Sequence, residues 1–256
     1  MKNLCFIGTS HLGILASAWY KRVRDSYPHL NPTFFTGPGT VLYEAEFLPK
    51  QIKAPHDSKL EEFFKLSAGG QTTIELDHYD CFIFQGLDHQ FIALAEMCQA
   101  WQTEDEEEQV FYSSACLAAS FEAMLENSPV TKYVQHIRTW VDTPIIVSMT
   151  PKTSILAIEK HPEQYVAYLE QVEAFEAFFL AARAHVLNYP NLSFVEQPAE
   201  TLATPYFSKV EYLNPYGKQN LENITDYWHK NIGYGQAAMN KILQHVARLN
   251  ELASSP

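Results

Sequence analysis

Short apolar runs alternate along this chain with longer segments whose apolar residues recur at helical spacing. Residues 4–7 form one such run, ending at Gly8, and residues 80–84 form another, leading into Gln85 and Gly86. Runs at 33–36, 144–148 and 192–195 predict three further strands, and the alternating stretch 72–76 predicts a small one. Helical spacing predicts helices over 12–24, 60–66, 91–101, 116–125, 130–141, 163–186 and 234–252, with 163–186 long and amphipathic. Gly37-Pro38-Gly39 closes the second strand, Gly69-Gly70 marks a turn, and residues 198–225, with Pro205, Pro215 and Gly217, read as a long loop.

Strands separated by helices imply parallel pairing with helices on both faces of the sheet. Right-handed crossovers then give a three-layer α/β/α sandwich around a mainly parallel sheet, a flavodoxin-like α/β class. No repeat, low-complexity linker or compositional break divides residues 1–256, so one domain is expected. In a sheet of this kind the functional site lies beyond the carboxyl ends of the strands. Ser10, the segment 86–89 and Thr150 all follow strands directly, which puts them on one edge.

Composition narrows the partners. Hydrophobic residues make up 46% of the 256 positions and charged residues 19%, as in an ordinary globular protein. The net charge of −12 argues against a nucleic-acid partner, since phosphate binding needs a basic face. Binding to an anionic membrane by charge is disfavoured for the same reason, and no apolar run is long enough to insert. The cysteines, Cys5, Cys81, Cys98 and Cys116, show no Cys-x-x-Cys spacing, so neither a zinc nor a redox motif is signalled. Cys5 and Cys81 lie inside strand-like runs, and a reducing, cytoplasmic setting is expected. Gly8-Thr9-Ser10-His11 interrupts the first apolar run, which fits a strand entering a turn better than a secretory signal.

Chemistry concentrates at the two ends. Ser10 opens a helix directly after a strand, where its hydroxyl can cap that helix or act as a nucleophile whose oxyanion the helix N-terminus favours. A phosphate cradle is poorly supported there, since no Gly-Lys-Ser/Thr follows. Near the other end stands Asp226-Tyr227-Trp228-His229. The three-residue offset lets a carboxylate reach one ring nitrogen while the other faces outward, although Asp226 as a helix cap reads equally well locally. Ser10, Asp226 and His229 are together the parts of a serine hydrolase: a hydroxyl, an imidazole to take its proton and a carboxylate to orient the imidazole. His11 and His89 stand near the same edge, but their spacing matches no metal motif, and neither a metal nor a cofactor is expected. The acidic run 104–108 reads as a solvated face.

Gly8-Thr9-Ser10-His11-Leu12-Gly13 resembles the first block of the SGNH (GDSL-like) hydrolases, and Asp226-Tyr227-Trp228-His229 followed by Asn231, Tyr234 and Gly235 resembles their last block. The two blocks bracket the whole chain. The resemblance implies the same α/β/α sandwich, with Ser10 as nucleophile, His229 as general base and Asp226 as its carboxylate. It also implies oxyanion donors: the Ser10 amide, a glycine amide (Gly70, Gly69 or Gly86) and a third group near Gly86-Leu87-Asp88-His89. There Asp88 stands where the family carries an asparagine, and Thr9 stands where it carries an aspartate. An ionised Asp88 would repel an oxyanion, leaving Gln85, His89 or Gln90 as substitutes. The activity implied is an esterase or deacylase removing a small acyl group from a polar alcohol or carbohydrate through an acyl-enzyme. An acyltransferase for cell-surface polysaccharide uses the same triad, and a binding protein with a degenerate oxyanion hole is the non-catalytic alternative. Tyr216, Trp228 and Tyr234 would line the substrate cleft or pack within the fold.

Overall fold

The computed structural model describes residues 1–87, 113–214 and 226–253. In chain order the strands are β1 (Lys2–Gly8), β2 (Leu30–Thr36), β3 (Glu46–Leu48), β4 (Gln51–Lys53), β5 (Thr73–Glu75), β6 (Cys81–Gln85), β7 (Ile145–Ser148), β8 (Leu192–Val195), β9 (Leu202–Thr204) and β10 (Phe207–Ser208). The α-helices are α1 (Ser10–Ala18), α2 (Lys59–Ser67), α3 (Ser114–Glu126), α4 (Pro129–Trp140), α5 (Leu156–Lys160), α6 (Pro162–Val186) and α7 (Ile232–Ala253). The helix expected over 91–101 and the acidic run 104–108 lie outside the described residues, as do Cys98, Tyr216 and Gly217.

β2, β1, β6, β7 and β8 form the central sheet in that order, and every pairing is parallel. The order places β1 in the interior of the sheet, between β2 and β6. Side chains along these strands alternate between the two faces, as the pleat requires. Cys5, Ile7, Phe82, Phe84, Ile145 and Val147 pack on one face with α2 and α4. Leu4, Phe6, Cys81, Ile83 and Ile146 pack on the other with α1 and α7. The architecture is the expected three-layer α/β/α sandwich. A third cluster holds α3 against α6 through Phe121, Phe175 and Phe179. Cys5 and Cys81 are buried thiols, and burial pushes the Cys81 thiol up to about 12.

The helix starts follow their capping residues. The Ser58 hydroxyl accepts the Glu61 amide to open α2, and Ser128 does the same for α4 through Thr131, with Pro129 in the first turn. Three short features escaped the periodicity reading. β3 and β4 form a hairpin turned by Lys50 at φ 58°, which β5 extends into a small antiparallel sheet. The expected loop after residue 198 contains the β9–β10 pair. α1 does not continue as an α-helix to residue 24 but passes into a π turn over Trp19–Val23. Elements of two or three residues carry too few positions for a period to register. No helix among the described residues is long and apolar enough to cross a membrane.

Candidate active site

β1 ends at Gly8, and two residues later Ser10 opens α1. The turn is tight because β1 and β6 end side by side. The Thr9 amide donates to the Gln85 carbonyl at 3.2 Å, and a Cβ on Gly8 would collide with that oxygen. Thr9 is the residue preceding the helix, with an extended backbone, yet its hydroxyl makes no cap. Ser10 is left exposed at the first position of the helix. A first-turn amide has no intrahelical acceptor, so the Ser10 N–H is directed at whatever lies beyond the strand end.

The structure brings the two ends of the sequence together here. Ser10 Oγ lies 3.1 Å from His229 Nε2, and His229 Nδ1 lies 2.7 Å from Asp226 Oδ2. A carboxylate only accepts, so Nδ1 carries the proton; Nε2 then accepts from the Ser10 hydroxyl. Asp226 Oδ1 accepts the amides of Trp228 and His229, at 3.0 and 3.1 Å, which locks the carboxylate against the ring. Burial alone would raise the Asp226 carboxyl. The backbone amides of His229 and Trp228, then the imidazole, outweigh it and hold the group below its ordinary value. The helix-cap alternative for Asp226 does not hold, because the cap of α7 is Asn231, whose Oδ1 accepts the amides of Gly233 and Tyr234.

The segment carrying His229 is braced from three directions. Leu213 and Lys230 form an antiparallel bridge, and the Asn214 amide donates to the His229 carbonyl at 3.0 Å. The Asn231 amide donates to Tyr212, and the Ser154 amide, from the loop after β7, donates to the Tyr227 carbonyl. Below, α7 approaches α1 closely. A Cβ on Gly235 would meet the Ile14 carbonyl oxygen at 2.5 Å. The helix bearing Ser10 and the helix following His229 are therefore packed as a pair.

Lys230, directly after His229, is only 2% exposed. Its Nζ reaches the Tyr227 carbonyl at a long 3.5 Å. Burial depresses its ammonium to about 7, against the attraction of Asp226. Nothing in the sequence marks this lysine, since burial of a charged side chain is set by the tertiary fold.

The proposed oxyanion donors divide. Gly86 borders the site: it has φ +69°, and a Cβ there would lie 2.8 Å from Thr9 Oγ1 and 3.3 Å from the His11 ring. Its amide, however, donates toward the Ser148 carbonyl at 3.4 Å, extending the sheet. The Gly70 amide closes α2 by donating to Lys65, and no described contact joins Gly70 to Ser10. Gln85 is buried and its Nε2 donates to the Met149 carbonyl, so it is not turned to the site as a donor. Asp88, His89 and Gln90 lie outside the described residues. The glycine turn that does adjoin Ser10's strand is Gly37-Pro38-Gly39, where the Gly37 amide donates to the Gly8 carbonyl at 3.1 Å. Its sequence signal was available: it follows a strand directly, whereas Gly69-Gly70 follows a helix.

His11 stacks on His229, with ring centroids 5.4 Å apart. Thr150 is buried at the end of β7. Trp228 is half-buried against the α3–α6 cluster, and Tyr234, in the first turn of α7, is buried against α1. Among the described residues no group of three His, Cys, Asp or Glu side chains is placed to hold a metal. A cavity of about 230 Å³ opens beside the reacting atoms, bordered by Ser10, His229, Gly13, Ser17 and Asn214.

No family model and no curated protein matches this chain. Solved structures do match its overall path. One is an extracellular lipase from Streptomyces rimosus, with TM-score 0.47 and 14% identity over 95% of this chain and 99% of that one. A carbohydrate acetylesterase family member from Sinorhizobium meliloti matches with TM-score 0.43 and 13% identity, over 97% and 98%. A variant of an acetyl xylan esterase from Geobacillus stearothermophilus gives TM-score 0.43 and 13% identity, over 96% and 94%. The likeness is one of overall path, and the chemistry of this chain rests on its own side chains.

Proposed function

We propose that this protein is a serine ester hydrolase of the SGNH type, releasing a small acyl group such as acetyl from a polar alcohol or carbohydrate. The observation that carries the reading is the unbroken hydrogen-bond relay from Ser10 Oγ through the His229 ring to Asp226. The Ser10 hydroxyl attacks the ester carbonyl as its proton passes to His229 Nε2. Asp226 fixes the tautomer and stabilises the imidazolium. The Ser10 amide, at the positive end of α1, faces the developing oxyanion. The imidazolium returns its proton to the departing alcohol oxygen, leaving an acyl-serine. Water, deprotonated by the same ring, then releases the acid and regenerates Ser10.

One observation favours the non-catalytic reading: the Gly86 amide is engaged with Ser148, which leaves the Ser10 amide as the described donor. Losing a single oxyanion donor costs about 2.7–4 kcal/mol of barrier. Hydrolysis of p-nitrophenyl acetate separates the two. The esterase reading expects turnover that disappears in Ser10→Ala and falls at least ~100-fold in His229→Ala. Background rates in the wild-type protein would support the binding reading, and equal turnover in wild type and Ser10→Ala would remove Ser10 as the nucleophile.

A further inference from the structure

Resting on the esterase reading, we propose that the cavity bordered by α1, Asn214, His229 and Lys230 receives the alcohol half of the ester, and that the part held there is one polyhydroxy ring. Three features of the cavity lead there.

The first is its side. It is bordered by His229 and by the outer face of α1, and none of the described residues in the loops after β2 and β6 lines it. In acyl transfer the departing oxygen must lie against Nε2 of the imidazolium, which protonates it. The group attached to that oxygen therefore extends on the imidazole side of Ser10. The acyl group and its oxyanion take the other side, toward the strand ends.

The second is its chemistry. Ser17 and Asn214 are half-buried, and neither side chain makes a hydrogen bond to another of the described residues. Asn214 is held in place by its own backbone, through its amide to the His229 carbonyl. Ile14, His11 and Lys230 complete the lining beside Ser10 and His229, and a hydroxyl and a carboxamide, which donate and accept together, suit the hydroxyl groups of a polyol set against one apolar side chain. The volume of about 230 Å³ is below the ~300–1,000 Å³ of drug-sized sites and has room for one ring.

The third is Gly13. It sits inside α1 with ordinary helical backbone, and a Cβ built on it meets nothing within 4 Å. Gly235 is required by a close helix contact, but no packing contact requires Gly13. A helix-interior glycine is unfavourable relative to alanine. The space it leaves open belongs to the cavity.

The test compares methyl 6-O-acetyl-glucoside with methyl acetate, which share the acyl group and differ in the alcohol, and then methyl acetate with methyl butyrate. Gly13→Phe fills the cavity from α1. It should cut kcat/KM for the acetyl-glucoside at least tenfold relative to methyl acetate, mainly through KM, and leave the acetate-to-butyrate ratio where it was. Ser17→Leu, one turn further along, should shift the alcohol ratio in the same direction and guards against a fold defect in the first variant. A changed acetate-to-butyrate ratio with an unaltered alcohol ratio would overturn the assignment by giving the cavity to the acyl chain. Absence of turnover in the wild-type protein, with no labelling of Ser10 by a fluorophosphonate, is a different failure: it removes the esterase reading and this assignment with it.

Discussion

At the scale of single residues, the site is a set of geometric obligations. Asp226 uses both oxygens, one on two backbone amides and one on the imidazole. In Asp226→Asn the amide contacts survive, but the ring loses the acceptor that keeps its proton on Nδ1. Ester turnover should then fall about 10³- to 10⁴-fold with the circular-dichroism spectrum unchanged. The same carboxylate is a stability element, because its folded value lies below its ordinary one. Its contribution is complete above the ordinary value of 3.8 and is lost as the pH falls through the lower folded value. Gly86 carries a different obligation. At φ +69°, with Thr9 Oγ1 2.8 Å from where a Cβ would stand, Gly86→Ala is strained twice. Urea unfolding should show a loss of about 1–3 kcal/mol. Ser10, Asp226 and His229 were legible in the sequence because each sits in a local motif beside a helix start. Gly37–Gly39 was passed over for Gly70 although it directly follows a strand; its closeness to Ser10 comes from the pairing of β2 with β1.

Among the elements, the regular helices and interior strands matched the apolar periodicity because burial on one face imposes it. α2 and α4 begin at serine caps beside predicted starts. The β3–β4 hairpin and the β9–β10 pair are too short to show a period, and they rest on tertiary contacts. The bridge between Leu213 and Lys230 is the same kind of feature, one residue beyond His229. It also buries Lys230, whose ammonium falls to about 7 from an ordinary 10.5. Between those values the unfolded chain binds a proton that the folded chain does not, so stability rises with pH across that window. Below about 7 both states are protonated, and the cost of burying the charge is present in full. Lys230→Met should therefore raise the melting temperature by a few degrees near pH 6, with the gain shrinking toward pH 10. A gain that is constant with pH would show that Lys230 is not a buried titrating group.

Across the whole molecule, the proposed function depends on Ser10 meeting His229, and the structure brings the two side chains within 3.1 Å. The parallel order β2-β1-β6-β7-β8 accomplishes this by ending β1 inside the carboxyl edge, between β2 and β6, and packing α7 against α1. The α/β/α class was readable from the succession of strands and helices. The strand order and the α1–α7 pairing were not, because long-range contacts leave no local signature beyond small residues such as Gly235. Covalent trapping examines the relay itself. A fluorophosphonate ester incubated with the intact protein, followed by peptide mass spectrometry, should place one adduct on Ser10, and His229→Ala should slow its formation at least ~100-fold. An adduct on another serine, or labelling at the same rate without the imidazole, would contradict a nucleophile activated by His229.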